Sequence, residues 1–215
     1  MPATDSIERP GAQAFVPPDA TLEELRGAAT ACRGCELWEP ASRVVFSAGS
    51  PEARIALVGE QPGDQEDRQG IPFVGPAGRL LQQALDEVGI ERTDVYVTNV
   101  VKHFRFTQSA PGKRRIHQTP DRVHVEACRP WFVAEMAIVD PDVVVCLGAT
   151  AAKALLGPSF RVTQQRGQVI ERETTKGVRR FVATVHPSSI LRSDDRDTAY
   201  AAFVEDLRVV VAAAG

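Results

Sequence analysis

The sequence predicts an α/β protein, a three-layer α/β/α sandwich around a central, mainly parallel sheet of four strands. Four apolar runs of strand length, at 55–58, 95–98, 143–146 and 181–185, are separated by segments with helical periodicity. The third run, Val143-Val144-Val145-Cys146, is almost continuous in aliphatic residues, as a strand buried on both faces requires. Such alternation is typical of a parallel sheet covered by helices on both sides.

The predicted helices have recognisable ends. Thr21-Leu22-Glu23-Glu24 has the pattern of a capping box, which predicts a short helix running toward Cys32. Glycine or proline follows three later helical patterns, and both residue types are common just beyond helix C-termini. These patterns predict helices over 76–88, 120–139, 149–156 and 198–213, and a peripheral hairpin over 167–180.

Residues 21–215 are predicted to form one domain, because a chain of 215 residues with 43% hydrophobic content can bury one substantial core. Residues 1–20 are rich in Pro and Ala without periodicity, and we expect a loose arm with little structure. No run approaches the roughly 18 apolar residues that span a bilayer. We therefore expect a cytoplasmic protein without membrane contact, and a monomer, since no pattern indicates a dimer interface or a protein partner.

Polar residues follow three of the predicted strands. Gly59-Glu60 comes after the first strand, Asn99 ends the second, and His186 follows the fourth. Ligands of such folds bind in the crevice at the carboxyl ends of the strands, so we expect these side chains to converge there.

Each crevice residue has a functional and a structural interpretation. The turn Gly59–Asp64, which includes Gly63, lets a ligand approach backbone amides, but such turns are also common after strands. Phe73 is compatible with stacking on a flat base or with the core, and Asn99 with reading a pyrimidine edge or capping a turn. His186 is compatible with a hydrogen bond to a leaving base or with a cap.

A basic segment lies between Lys102 and Arg122, where six cations face a single acid, Asp121. Its centre, Lys113-Arg114-Arg115-Ile116-His117, places a histidine beside three cations, which favours phosphate binding. The net charge of the chain is only −3, so total charge gives no argument for nucleic acid. A solvated basic loop is the alternative interpretation.

The four cysteines have the spacing of a metal site. Cys32-x2-Cys35 is followed far downstream by Cys128 and Cys146. Disulfides are rare in the cytoplasm, so the pattern favours either a structural zinc or a four-thiolate iron–sulfur cluster. Spacing does not distinguish these two, and Cys146 is also compatible with a small buried hydrophobic residue in a strand.

Together these motifs resemble UdgX, a branch of the iron–sulfur uracil-DNA glycosylases of family 4. The resemblance covers nearly the whole chain beyond the arm, and the basic loop is its distinguishing element. It implies the uracil-DNA glycosylase fold and excision of uracil from DNA, preferably single-stranded. It also implies a [4Fe–4S] cluster, rather than zinc, held by the four cysteines. The residues that match the family motifs are Glu60, Gln61, Asp64, Phe73, Asn99 and His186.

The resemblance also implies an unusual product. His117 would bond the C1′ atom of the abasic sugar, with Glu60 taking the other ring proton, so that each molecule acts once. Arg115 would position the loop or a phosphate, and Lys102, Lys113 and Arg114 would add non-specific attraction to the DNA backbone. Ser188, which follows His186, is itself compatible with holding a phosphate. Two rival interpretations remain: a turnover glycosylase that uses water, and a non-enzymatic, metal-braced nucleic-acid-binding module.

Overall fold

The computed structural model describes residues 9–215. This part of the chain contains the strands β1 (Ser47–Ala48), β2 (Ile55–Gly59), β3 (Val95–Asn99), β4 (Phe106–Thr107), β5 (Ile116–His117), β6 (Val143–Leu147), β7 (Val169–Thr174) and β8 (Gly177–Thr184). Six of them form the main sheet in the order β1-β3-β2-β6-β8-β7. The neighbours from β3 to β8 are parallel, whereas β1 and β7 pair antiparallel at the two edges. The remaining two strands, β4 and β5, form a separate hairpin.

Helices cover both faces of the main sheet. They are α1 (Leu22–Ala29), α2 (Asp64–Gln69), α3 (Pro76–Glu87), α4 (Arg122–Val139), α5 (Ala149–Leu156), α6 (Val162–Gln165), α7 (Pro187–Ile190) and α8 (Arg196–Ala214). The apolar sides of α3 and α8 pack with Leu57 and Val145 on one face. Those of α4 and α5 pack with Val58 and Val144 on the other. Each fully buried aliphatic side chain stabilises the fold by about 1.5–3 kcal/mol.

These layers confirm the predicted α/β fold, but the sheet is larger than expected. The four predicted strands are its parallel centre, and β1 and β7 are additional. Strand β1 has only two residues, which is too short for any periodicity. Strand β7 was expected only as part of a peripheral hairpin, and five of its six residues are indeed exposed. It pairs with β8 and so joins the main sheet.

The described part of the expected N-terminal arm, residues 9–20, is packed against the domain rather than loose. Ala12 is buried, and its amide donates to the carbonyl of Ala127 at 2.8 Å. Arg9 forms an ion pair with Glu36. Specific backbone pairing is invisible to composition, which is why the sequence favoured a loose segment. The first eight residues of the expected arm lie outside the described residues.

One buried ion pair lies in the α4 layer. Lys102 and Glu135 are 1% and 0% exposed and form a salt bridge. The Glu135 carboxylate also accepts from Tyr96 Oη at 2.8 Å and from Thr98 Oγ1 at 2.9 Å. A buried cation needs such partners, so Lys102 serves the core and is not available to phosphates. The expected contribution of Lys102 to DNA attraction is therefore wrong.

None of the helices within residues 9–215 is long and apolar enough to cross a membrane. Helix α8 is the longest, with 19 residues, and charged side chains interrupt its sequence.

Lys102→Met should destabilise the fold by about 3–5 kcal/mol, because it leaves the Glu135 carboxylate buried without its cation. Urea unfolding followed by circular dichroism measures the change. Adding Glu135→Gln should recover a large part of the loss, since the amide still accepts from Tyr96 and Thr98. Equal stability of the single and the double variant would contradict the coupling.

Candidate functional site

Gly59, Phe73 and Asn99 meet at the carboxyl ends of β2 and β3, and we call this cluster the pocket. Gly59 and Asn99 are paired across the two strands. A Cβ atom at Gly59 would lie 2.3 Å from Asn99 Oδ1 and 2.7 Å from Phe73 Cζ, so only glycine fits. Asn99 is 1% exposed, and its Oδ1 atom has no hydrogen-bond partner within the described residues. A buried, unpaired acceptor facing an aromatic ring is a site for a ligand that donates a hydrogen bond.

His186 packs against Phe73, with the two ring centroids 5.9 Å apart. It precedes α7, and its Nδ1 atom accepts the backbone amide of Ser188 at 3.1 Å. Burial lowers the pKa of His186 to about 4, with Glu60 acting in the opposite direction. The ring is therefore neutral near pH 7 and carries its proton on Nε2, because Nδ1 is an acceptor. Neutral Nε2–H is a suitable donor to an oxygen that gains negative charge.

Glu60 joins the pocket to the hairpin. Its Oε1 atom lies 3.3 Å from His117 Nε2, and its Oε2 atom accepts the hydroxyl of Thr150 at the start of α5. Burial alone would raise the pKa of Glu60, but the hydrogen bonds from His117 and Thr150 outweigh burial and lower it. The carboxylate is thus anionic and held on both sides, beside a histidine side chain that is 48% exposed.

The short strands β4 and β5 place His117 in the site. His117 pairs with Phe106 across the hairpin, where the sequence predicted a basic loop. The buried side chain of Gln61 holds both ends of this hairpin: its Nε2 donates to the carbonyls of Arg105 and Gln118, and its Oε1 accepts the Arg105 amide at 3.0 Å. Gln61, expected among the catalytic residues, contacts the backbone that supports His117.

Arg115 fixes the hairpin to α2. Its side chain is only 7% exposed and forms ion pairs with Asp64 and Asp67, the second at 2.6 Å. The guanidinium also lies over the rings of Phe104 and Phe106, at 5.4 and 4.8 Å from their centroids. Because two carboxylates occupy its donors, Arg115 positions the loop, and Asp64, expected among the catalytic residues, serves as its partner.

Gly63 and Ser188 were predicted to contact a ligand, but both form hydrogen bonds within the protein. The backbone amide of Gly63 donates to Glu66 Oε2 at 3.1 Å, and Glu66 also accepts the amide of Gly75. The Ser188 hydroxyl lies 2.8 Å from Nδ1 of His186. Gly63 therefore closes a turn, and Ser188 orients the histidine that precedes it.

Three of the four cysteines lie together. Cys32, Cys35 and Cys128 line one small cavity, and so does His103, which the sequence analysis did not single out. The sulfur atoms of Cys32 and Cys128 accept hydrogen bonds at 3.3 Å, from the Trp131 indole and from a backbone amide respectively. Burial lowers the pKa of His103 to about 4, so its imidazole is neutral and able to act as a ligand.

Cys146 does not belong to this group. It lies in the middle of the sheet on β6, between Val58 and Ala183, and is fully buried. Burial alone raises its pKa to about 12, whereas the pKa of Cys128 is also raised by the neighbouring thiols of Cys32 and Cys35. The four cysteines therefore do not line one cavity as predicted: His103 stands with Cys32, Cys35 and Cys128, whereas Cys146 lies within the sheet.

A comparison with models of protein families shows the family to which this chain belongs. The family model described as the uracil DNA glycosylase superfamily matches residues 46–208, well over half of the chain. The chain belongs to this superfamily. The match covers every pocket and hairpin residue described above, from Gly59 to His186.

Several members of the superfamily are similar to the chain over most of their length. A type-4 uracil-DNA glycosylase of Thermotoga maritima is 40% identical over 163 residues, covering 75% of this chain and 79% of the relative. That of Archaeoglobus fulgidus is 34% identical over 175 residues, covering 80% and 83%. A type-5 uracil-DNA glycosylase of Thermus thermophilus is 34% identical over 152 residues, covering 64% of each chain.

Sequence reasoning missed Thr150 and His103 in this superfamily member. Thr150 follows β6 and Gly148, so its position at a strand end was a usable signal. His103 comes four residues after Asn99, inside the basic segment, and its type made it a potential metal ligand. Both were missed because the partner of each is distant along the chain.

We expect His186 to stay neutral in the folded protein as the pH falls from about 8 to about 5. Its imidazole ¹⁵N chemical shifts should remain those of the Nε2–H tautomer, and the urea-unfolded chain should titrate near the ordinary value. Since the folded pKa is about 4, below the unfolded value, the unfolded state takes up protons first. Protonation of the unfolded state therefore lowers the stability of the fold as the pH falls from about 6.5 to about 4. Titration of His186 near pH 6.5 in the folded protein would contradict the assignment.

Proposed function

We propose that this protein excises uracil from DNA, preferentially from single strands, and that His117 then bonds the C1′ atom of the abasic sugar. Membership of the uracil-DNA glycosylase superfamily supports the excision. The observation that carries the second step is the contact of 3.3 Å between His117 Nε2 and the anionic Glu60, beside the pocket. A nucleophile and its proton acceptor are thereby in place together.

The pocket supports recognition of a pyrimidine taken out of the base stack. The unpaired Oδ1 of Asn99 accepts from the N3–H of uracil, and the Phe73 ring stacks on the base. Nε2–H of His186 donates to the O2 atom as the base departs. Cytosine has no N3–H, so it would leave the Asn99 oxygen unpaired, which favours uracil.

The bond changes follow from these contacts. The glycosidic bond breaks with its electron pair passing to uracil N1, which leaves an oxocarbenium-like sugar. A ring nitrogen of His117 forms a bond to C1′, and the proton on the other ring nitrogen passes to the Glu60 carboxylate. The product is a neutral N-alkyl imidazole, which is a poor leaving group, so the protein stays attached.

Thr150 supports this step through Glu60. Its hydroxyl donates to Oε2 while Oε1 faces His117, so the threonine fixes the orientation of the carboxylate. Thr150 is a positioning residue, because its hydroxyl contacts Glu60 and not the expected position of the sugar.

We also propose that Cys32, Cys35, Cys128 and His103 hold an iron–sulfur cluster of the [4Fe–4S] kind. Three thiols and a neutral imidazole around one cavity, with hydrogen bonds to two sulfur atoms, form a suitable donor set. A structural zinc takes the same kinds of ligand, so the metal content of the purified protein distinguishes the two. The group would supply rigidity, linking the segment after α1 to α4.

His117→Ser should abolish the covalent adduct while free uracil is still released, because serine lacks the imidazole nitrogen. The purified protein is mixed with a uracil-containing oligonucleotide, and denaturing gels are run beside a uracil assay. The wild type should give a band shift that survives heat and detergent. Uracil release by the wild type without a shifted band would identify a hydrolytic turnover glycosylase instead.

Thr150→Val should lower the fraction of uracil-release events that end in an adduct by about tenfold, because a lost hydrogen bond to a carboxylate is worth about 1.4 kcal/mol or more. The ratio of adduct to free uracil in single-turnover reactions measures this. Thr150→Ser is the matched control and should retain the wild-type ratio. A ratio equally low in both variants would exclude the hydroxyl as the cause.

Cys128→Ala should lose most of its iron and acid-labile sulfide, whereas Cys146→Ala should retain them. The reason is that only Cys128 lines the cavity shared with Cys32 and Cys35. Metal content per purified protein and the visible absorption spectrum provide the measurement. Loss of iron from both variants would restore the original assignment of four cysteine ligands, and retention by the Cys128 variant would exclude both sets. Zinc in place of iron in the wild type would overturn the cluster.

A further inference from the structure

A groove of about 710 Å³ lies between α4 and α5, on the outer side of the layer that these helices form. Its floor is apolar and consists mainly of Val100, Val125, Phe132, Leu155 and Leu156. A volume of this size is within the range of binding sites for organic ligands, and none of the pocket residues described above, apart from Thr150, lines it.

The rims of the groove carry cations on opposite walls. Arg129 on α4 and Lys153 on α5 are exposed, and neither forms an ion pair with any residue in 9–215. Arg122 also lines the groove, but Glu126 pairs with it at 2.6 Å. The groove is therefore locally positive in a chain whose net charge is −3. Unpaired cations over an apolar floor are complementary to an anionic chain with flat apolar groups.

The groove lies next to the candidate active site, and Thr150 belongs to both. Thr150 lines one end of it and donates its hydroxyl to Glu60, the carboxylate that faces His117. Pro120, at the exit of the hairpin, lines it as well. A strand whose sugar lies beside His117 has neighbouring nucleotides close to this end of the groove.

We propose that the groove binds the single-stranded DNA that flanks the target nucleotide. Phosphates contact Arg129 and Lys153, and base faces pack on the apolar floor around Phe132. The inference rests on the proposed function only in taking DNA as the substrate. The positive charge of the groove would suit a separate acidic peptide equally well. The position of the groove beside the candidate active site favours the substrate strand.

The test compares the wild type with a double variant that carries both Arg129→Gln and Lys153→Gln. The matched control is Arg208→Gln, an exposed arginine on α8 at the opposite face of the sheet. Binding of a single-stranded oligonucleotide is measured by fluorescence anisotropy at several salt concentrations, with His117→Ser as the background to prevent covalent capture. Losing two phosphate contacts should reduce the slope of log K against log salt by about 1.4. The control should keep the wild-type slope.

A second readout locates the strand directly. An oligonucleotide with a photoreactive base beside the uracil should crosslink to peptides from 122–133 or 150–158. An unchanged salt slope, or crosslinks confined to other segments, would overturn the proposal. Uracil release and adduct formation are measured at saturating DNA with the same proteins made without the His117→Ser substitution. Their absence from the wild type would defeat the proposed function, whereas their presence with an unchanged slope defeats only the groove.

Discussion

The position of His117 depends on the pairing of Arg115 with two carboxylates of α2. A hairpin with two residues in each strand is too small to hold its own geometry. Arg115 fixes it through Asp64 and Asp67 from one side, and Gln61 holds its backbone from the other. Since α2 begins a few residues after β2, the same turn carries Glu60 and the anchors of the hairpin. His117 and Glu60 are therefore held by one local structure.

Two ionisable side chains of this small site are held in different charge states. Glu60 keeps its negative charge because two hydrogen bonds outweigh its burial. His186 is neutral because burial outweighs the attraction of Glu60. The proposed cleavage develops positive charge on the sugar and negative charge on the base, and an anionic carboxylate and a neutral donor suit these two charges.

The pocket also retains features that cost stability. Phe73 has a left-handed backbone with φ of 55°, which costs on the order of 1–3 kcal/mol for such a residue. The Asn99 oxygen is buried without a partner in the described protein. Gly59 lets both of these side chains approach the backbone more closely than any Cβ atom would allow. These costs occur at one place, whereas the equally buried Lys102 and Glu135 satisfy each other, so the unsatisfied groups mark the site where a ligand is expected.

Residue patterns predicted the four parallel strands, the main helices to within about two residues, and the strand ends that carry Glu60, Asn99 and His186. Periodicity and turn chemistry are local, so these features could be predicted. The edge strand β1, the packing of residues 9–20, the replacement of Cys146 by His103 and the contact of Thr150 with Glu60 were decided by tertiary structure. Each of these depends on which distant segment lies alongside, and residue spacing carries no information about that.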